Sequence, residues 1–123
     1  MEFNYFSKIN LQRASRWHTA GITEWDPQMW GLAMCGEAGE CANALKKLKR
    51  MDMKIQQKVV TKKREDLIKD IAMEIGDVVV YCDLLSQRIG WSLEECVIQT
   101  FNRISEREGF PERLTSLGEY SPL

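Results

Sequence analysis

The feature that most constrains the fold is a 25-residue stretch, from Glu65 to Ile89, in which apolar side chains recur at helical spacing. The stripe consists of Ile68, Ile71, Ile75, Val78, Cys82, Leu85 and Ile89. Residues 78–81 would suit a strand in isolation, but the longer 3.6-residue period favours a single amphipathic helix. Gly90 follows the last apolar position and is expected to end this helix.

Three further helices are predicted from the same periodicity and from boundary residues. The first begins near Phe3 and stops near Thr19, and residues 22–25 form a loop. Asp26 and Pro27 are good start signals for a second helix that runs to about residue 50. Its apolar stripe is Trp30, Met34, Cys41, Leu45 and Leu48. Ser92 and Glu95 form a capping box that starts the fourth helix, which stops before residue 109. The stripe of that helix is Leu93, Val97, Phe101 and Ile104.

These elements predict an all-α fold in which four helices form a core bundle. We expect a single domain over residues 1–123. Residues 51–64 are rich in lysine and read as a basic linker or helix extension, or alternatively as a basic flap that touches phosphates or a neighbouring subunit. Residues 111–123 are expected to be an irregular tail. Four tryptophans and long apolar stripes in a chain of this length favour an oligomer.

Composition excludes several classes of function. Charged residues make up 28% of the chain, which leaves no segment apolar enough to span a membrane. Lys and Arg total 17 against 18 Asp and Glu, so no overall positive charge attracts nucleic acid. A single histidine excludes a histidine-rich zinc site. The four cysteines form no C-x-x-C motif, and the N-terminus does not resemble a signal peptide, so we expect a reducing, cytoplasmic location.

Two pairs of carboxylates carry the chemistry. Glu37 and Glu40 lie three apart in the second helix, and Glu74 and Asp77 lie three apart in the third. Residues three apart share a helix face, where two like charges repel unless a cation lies between them. Packing of the two apolar stripes would bring all four acids to one margin of the core. Oxygen ligands of this kind suit Mg²⁺ or Mn²⁺.

The alternative is that both pairs belong to an ordinary solvated helix surface. Gly36, Gly39 and Gly76 lie beside the acids, and each glycine costs a helix interior about 1 kcal/mol relative to alanine. Close approach of two helices or room for a ligand would explain their presence, and this favours the metal site.

The order and flanks of these motifs resemble a known family. Gly-Glu-Ala-Gly-Glu at residues 36–40, followed by Glu-Ile-Gly-Asp-Val at 74–78, is similar to the signature of MazG-like nucleotide pyrophosphohydrolases of the all-α NTP pyrophosphatase superfamily. The resemblance extends through residues 16–18, 25–30, 43–48, 81–85, 101–105 and 109–114, as in short bacterial and phage members. The 33 residues between Glu40 and Glu74 exceed the spacing usual in the family, so residues 51–64 are an extension.

The resemblance implies Mg²⁺-dependent hydrolysis of a nucleoside triphosphate to the monophosphate and diphosphate by a homodimer or homotetramer. By position, Glu37, Glu40, Glu74 and Asp77 would be the metal ligands and catalytic acids. The positions that would contact substrate are His18, Trp25, Trp30, Tyr81, Asn102 and Arg103, with Arg107 as an alternative to Arg103. Lys47, on the face of Glu40, is expected to contact phosphate, with Lys46 as its alternative. Thr100 stands where relatives often have a basic residue.

We therefore expect a metal-dependent nucleoside triphosphate pyrophosphohydrolase that controls nucleotide pools, with a preference for purines (dGTP or GTP) open. The second hypothesis is a non-catalytic helical interaction module whose acids bind a structural divalent cation. The tryptophans could equally be core or subunit-contact residues, His18 a hydrogen-bonded surface residue, and Tyr81 a cap on the core.

Overall fold

The computed structural model describes residues 1–54 and 62–116, and its regular structure there is helical throughout. Four α-helices are present in these ranges: α1 (Phe3–Trp17), α2 (Pro27–Asp52), α3 (Arg64–Arg88) and α4 (Leu93–Glu108). A short 3-10 helix, Gly21–Glu24, lies between α1 and α2. The described ranges contain no strand, so the prediction of an all-α chain with four long helices is confirmed.

The helix boundaries follow from local chemistry. The side-chain oxygen of Ser92 accepts a hydrogen bond of 3.1 Å from the backbone N–H of Glu95, as the capping box predicts. Gly109 ends α4 with a φ of 73°, a left-handed conformation that glycine adopts without strain. Residues 22–25 were expected to form a loop, but the first three of them belong to the helical turn Gly21–Glu24, in which the Thr23 hydroxyl donates to the carbonyl oxygen of Ala20 at 2.7 Å.

The described ends of the basic segment are joined by an ion pair. Asp52, the last residue of α2, accepts hydrogen bonds of 2.9 and 3.2 Å from Arg64, the first residue of α3. Lys54, with a φ of 56°, lies just beyond the end of α2. Residues 55–61 of the predicted extension and residues 117–123 of the predicted tail lie outside the described residues, while residues 111–115 are irregular as expected.

The chain divides into two compact units, and the prediction of a single domain stays a prediction. The first unit contains Met1–Asp26 and the chain from Asp83 onward, and the second contains Pro27–Cys82. In the first, the buried residues of α1 are Ser7, Asn10 and Ala14. In the second, the buried residues are Trp30, Ala44 and Leu67.

The buried faces of α2 and α3 are rotated from the predicted ones. Ala44 is buried and Leu45 is exposed, and Leu67 is buried whereas Ile68 is exposed. Ile75 and Ile89 of the predicted stripe are exposed as well. The prediction was wrong at residues 44–45 and 67–68 because two adjacent apolar residues compete for one inward position, and helical periodicity alone does not choose between them. This reason does not apply to Ile75 and Ile89, whose chain neighbours are charged residues or glycines.

None of the helices in the described part of the chain combines the length and apolar character that a membrane crossing requires.

Candidate metal centre

Three carboxylates from two helices come together in the second unit. Glu37 lies on α2, and Glu74 and Asp77 lie one turn apart on α3. One carboxylate oxygen from each of the three lies within 4.8 Å of the others. Glu37 and Glu74 are partly buried and Asp77 is exposed. These three residues are called the acidic cluster below.

Within the acidic cluster, Glu37 has a raised pKa. The pKa of Glu37 lies above its ordinary value, first because burial disfavours the charged carboxylate and then because Asp77, Glu74 and Glu40 repel it. Negative charges at this separation destabilise one another. A cation bound between them would offset that repulsion and would favour the ionised form of Glu37.

Glu40, the fourth predicted acid, is not part of the cluster. It is exposed, and its charge reaches the cluster only as repulsion on Glu37. Glu74 and Asp77 have the same three-residue spacing and both belong to the cluster, so the spacing alone does not decide which acids come together. The expected group of four is therefore a group of three with Glu40 at its side.

The acidic cluster fits a hard divalent cation. All three donor atoms are carboxylate oxygens, which Mg²⁺ and Mn²⁺ prefer. Because a Mg–O bond is about 2.0–2.1 Å, two oxygens on opposite sides of one ion lie roughly 4 Å apart. The observed separation of up to 4.8 Å would need only small side-chain rotations to meet this requirement.

The glycines beside the acids do not mark a close approach of helices. A Cβ atom built on Gly36, Gly39 or Gly76 would meet no atom within 4 Å in the described structure. Of the two explanations considered for these glycines, close helix packing is therefore not observed among the described residues, and room for a ligand remains.

A cavity of about 290 Å³ lies beside the acidic cluster and shares Glu74 with it. Its polar lining consists of Glu40, Asn43, Lys47, Lys62, Asp70 and Glu74. The ammonium of Lys62 donates to Asp70 at 2.6 Å. This hydrogen bond, followed by the negative charge of Asp70, raises the pKa of Lys62, which favours its charged ammonium form. Lys47 lines the cavity as well, whereas its predicted alternative Lys46 does not.

The two aromatic residues of the second unit contact each other. The rings of Trp30 and Tyr81 have centroids 6.3 Å apart. Trp30 is only 1% exposed, so it packs in the core and has no open face for a nucleobase. The predicted substrate contact of Trp30 is therefore replaced by the alternative packing role. Tyr81 is partly exposed and follows Asp77 by one helical turn.

The remaining predicted site residues belong to the first unit, and two of them pack around one loop. Nδ1 of His18 lies 2.5 Å from a carboxylate oxygen of Glu24. The imidazole ring of His18 contacts the ring of Trp25 edge-on, with the two ring centroids 4.8 Å apart. The hydrogen bond from His18 lowers the pKa of Glu24 despite opposing desolvation, and Thr19 adds a second hydrogen bond. His18 is thus a hydrogen-bonded structural residue in this conformation.

Asn102 and Arg103 have different surroundings. The Asn102 amide donates to the carbonyl oxygen of Leu114 at 2.9 Å and accepts from its N–H at 2.7 Å. Both ends of this amide hold the segment after α4, so the predicted substrate contact of Asn102 would require that segment to move. Arg103 is exposed and lines a separate cavity of about 330 Å³ with Trp91 and Cys96. Its alternative, Arg107, pairs with the neighbouring Glu108.

A buried polar network in the first unit was not predicted from the sequence. Asp83 is fully buried, and its carboxylate accepts hydrogen bonds from Ser7, Asn10 and Gln87. The bonds from Asn10 and Gln87 measure 2.9 and 2.8 Å. The available signal was the spacing of small and polar residues at 7, 10 and 14 on one face of α1.

No protein-family model, curated protein or solved structure matches this chain.

Proposed function

We propose that this protein is a divalent-metal-dependent nucleoside triphosphate pyrophosphohydrolase of the MazG-like type. The observation that carries the proposal is the acidic cluster, in which Glu37, Glu74 and Asp77 place carboxylate oxygens within 4.8 Å of one another. The order of the motifs in the sequence supports the family, and the open space beside the helical glycines supports a ligand.

Mg²⁺ or Mn²⁺ would be held by the acidic cluster. When bound, such an ion neutralises phosphate oxygens, polarises the phosphorus that is attacked and lowers the pKa of water. The products would be a nucleoside monophosphate and diphosphate. We assign to Glu40, which lies outside the acidic cluster, the role of orienting a water molecule or accepting its proton.

Other residues of the chain bind and orient the substrate. Lys47 contacts phosphate from the cavity beside the cluster. Tyr81 lies one turn beyond Asp77 and contacts the sugar or base. A purine preference is open to test, since nothing in the described lining of the cavity distinguishes one base from another.

The proposed oligomer and the proposed cytoplasmic location are supported by two separate features. The exposed apolar residues Val97, Phe101 and Ile104 on one face of α4 favour a homodimer or homotetramer. All four cysteines are free thiols, which agrees with the reducing conditions of a cytoplasm.

A substrate panel tests the proposal directly. Purified protein with Mg²⁺ or Mn²⁺ is incubated with each NTP and dNTP, and diphosphate release is measured. We expect release from at least one nucleotide and none after EDTA treatment. If folded wild-type protein releases no diphosphate from any nucleotide with either metal, the proposal is wrong.

Variants of the acidic cluster separate catalysis from stability. Glu74→Gln and Asp77→Asn should each lower the rate by roughly 100-fold or more, because direct metal ligands matter at least as much as the groups that orient them. Their melting temperatures in EDTA should stay the same or rise, because one repulsive charge is removed. Asp66→Asn, on the exposed first turn of α3, is the control and should retain activity.

The alternative to an enzyme is a non-catalytic interaction module whose acidic cluster binds a structural cation. A pyrophosphohydrolase should gain thermal stability from metal plus a non-hydrolysable nucleotide beyond the gain from metal alone. A module that only binds a structural cation should respond to the metal and show no further shift with the nucleotide.

A further inference from the structure

We infer that Lys62, from the segment between α2 and α3, is a phosphate-binding residue that Asp70 holds beside the acidic cluster until a metal-complexed di- or triphosphate group takes its place. This inference rests on the proposed function, because the metal at the acidic cluster is what makes the adjoining cavity attractive to an anion.

Lys62 lies at the edge of the cavity beside the acidic cluster. It belongs to the basic extension, yet its side chain lines the cavity that Glu40, Lys47 and Glu74 also line. Two lysines that are 15 residues apart in sequence, one on α2 and one just before α3, therefore border the same space. Phosphate oxygens bind well to such ammonium groups, each of which presents three N–H donors.

The lining of the cavity has an excess of one negative charge. The lining carries two positive charges, on Lys47 and Lys62, and three negative charges, on Glu40, Asp70 and Glu74. With this balance the cavity repels a free anion. A divalent ion bound through Glu74 and the rest of the acidic cluster would reverse the sign, so the ligand that fits is a phosphate chain bound together with the metal.

The partner of Lys62 is Asp70, and the ion pair between them is weak. The ion pair with Asp70, at 2.6 Å, is solvent-exposed on both sides, with 57% of the lysine side chain and 42% of the aspartate side chain accessible. Exposed pairs of this kind are weak, so Lys62 can exchange Asp70 for a phosphate oxygen readily. Lys47 has no ion-pair partner among the residues that the structure describes, and its ammonium is ready to bind.

The size of the cavity defines how much of a nucleotide it takes. At about 290 Å³ it lies at the lower end of the roughly 300–1,000 Å³ range of small-molecule sites. Its lining is largely polar, and the described lining contains no aromatic ring. We therefore assign it to the phosphate chain and not to the base.

Isothermal titration of the full chain with inorganic tripolyphosphate, with and without Mg²⁺, tests the inference. Wild-type protein should bind only with Mg²⁺. Lys62→Ala should bind roughly tenfold more weakly, because one charge-assisted hydrogen bond is lost. The matched control is Lys63→Ala, which removes the neighbouring charge outside the cavity lining and should change the affinity by less than about twofold.

Asp70→Asn provides the sharper test. It removes both the competitor for Lys62 and one negative charge from the lining, so binding of the Mg²⁺ complex should become roughly threefold tighter. A purely structural role for the ion pair predicts weaker binding. Weaker binding by Asp70→Asn, equal losses for Lys62→Ala and Lys63→Ala, or no binding by wild type with Mg²⁺ would each overturn the inference.

Parallel assays of diphosphate release keep the two proposals distinct. If wild type hydrolyses nucleotides and Lys62→Ala does so with unchanged KM, the inference fails and the proposed function stands. If tripolyphosphate binds in a Lys62-dependent way but no nucleotide is hydrolysed, the proposed function fails and Lys62 remains a phosphate-binding residue.

Discussion

At the scale of single residues, Asp83 is the position where burial is most costly, because its carboxylate has no access to solvent. Asp83 is stable in the interior only because Ser7, Asn10 and Gln87 all donate hydrogen bonds to it. Asp83→Asn would replace the charge-assisted hydrogen bonds from Asn10 and Gln87 by weaker neutral ones and would put an NH₂ group in place of the oxygen that accepts from Ser7. We expect a loss of about 2–4 kcal/mol in the free energy of unfolding, measured by urea titration.

The control for this prediction is Glu106→Gln, an exposed residue of α4 that should change the free energy of unfolding by no more than about 0.5 kcal/mol. If Asp83→Asn proves as mild as the control, the hydrogen-bond network contributes little to the stability of this unit.

A second residue-scale prediction concerns pH. Hydrogen bonding to His18 lowers the pKa of Glu24 below its ordinary value of 4.5. A carboxyl group with a lowered pKa stabilises the fold above its unfolded pKa, and this contribution is lost as the pH falls through the folded pKa. Wild type should therefore melt at a higher temperature than Glu24→Gln at pH 6, and the difference should shrink as the pH falls below 4.5 and through the lowered folded pKa. A difference that is independent of pH would contradict the assignment.

At the scale of helices, Gly76 lies in the interior of α3, and a Cβ atom there would meet nothing within 4 Å in the described structure. Gly76→Ala should therefore raise the stability of the isolated chain by about 0.5–1 kcal/mol, or the melting temperature by roughly 2–6 °C. Gly90→Ala is the opposing control, because Gly90 has a φ of 87° and alanine there is strained. Destabilisation by Gly76→Ala would show that a partner packs against this face.

Helices are also the scale at which sequence reasoning succeeded best. Local signals fix their ends: the Ser92 cap and Gly109 lie where the pattern places them. The rotation of each helix about its own axis could not be predicted, since Leu67 and Ile68 are equally apolar and only tertiary packing decides which of the two is buried. The same limit applies to the site. Spacing indicated the two carboxylate pairs, but the separation of Glu40 from the acidic cluster and the entry of Lys62 into the cavity depend on long-range geometry.

At the scale of the whole molecule, a net charge of −1 conceals an uneven distribution. The acidic cluster and its neighbouring lysines lie in one unit, so the two positive charges of a bound divalent cation would act mainly on the electrostatic potential at that site. Binding of nucleotide should accordingly depend on the metal and on its concentration more than on overall ionic attraction.

The oligomer is the other whole-molecule property, and α4 is where it can be tested. Val97, Phe101 and Ile104 follow one another at helical spacing on α4 and are 37–41% exposed. Burial of such a face against another copy would remove apolar area from water. Phe101→Asp should therefore shift the protein towards monomers in sedimentation velocity and make it melt at a lower temperature. Gln99→Asp adds the same charge about 200° away around the helix and should leave the oligomer intact. A wild-type protein that sediments as a monomer at every concentration, or equal dissociation of both variants, would show that this face is not the interface.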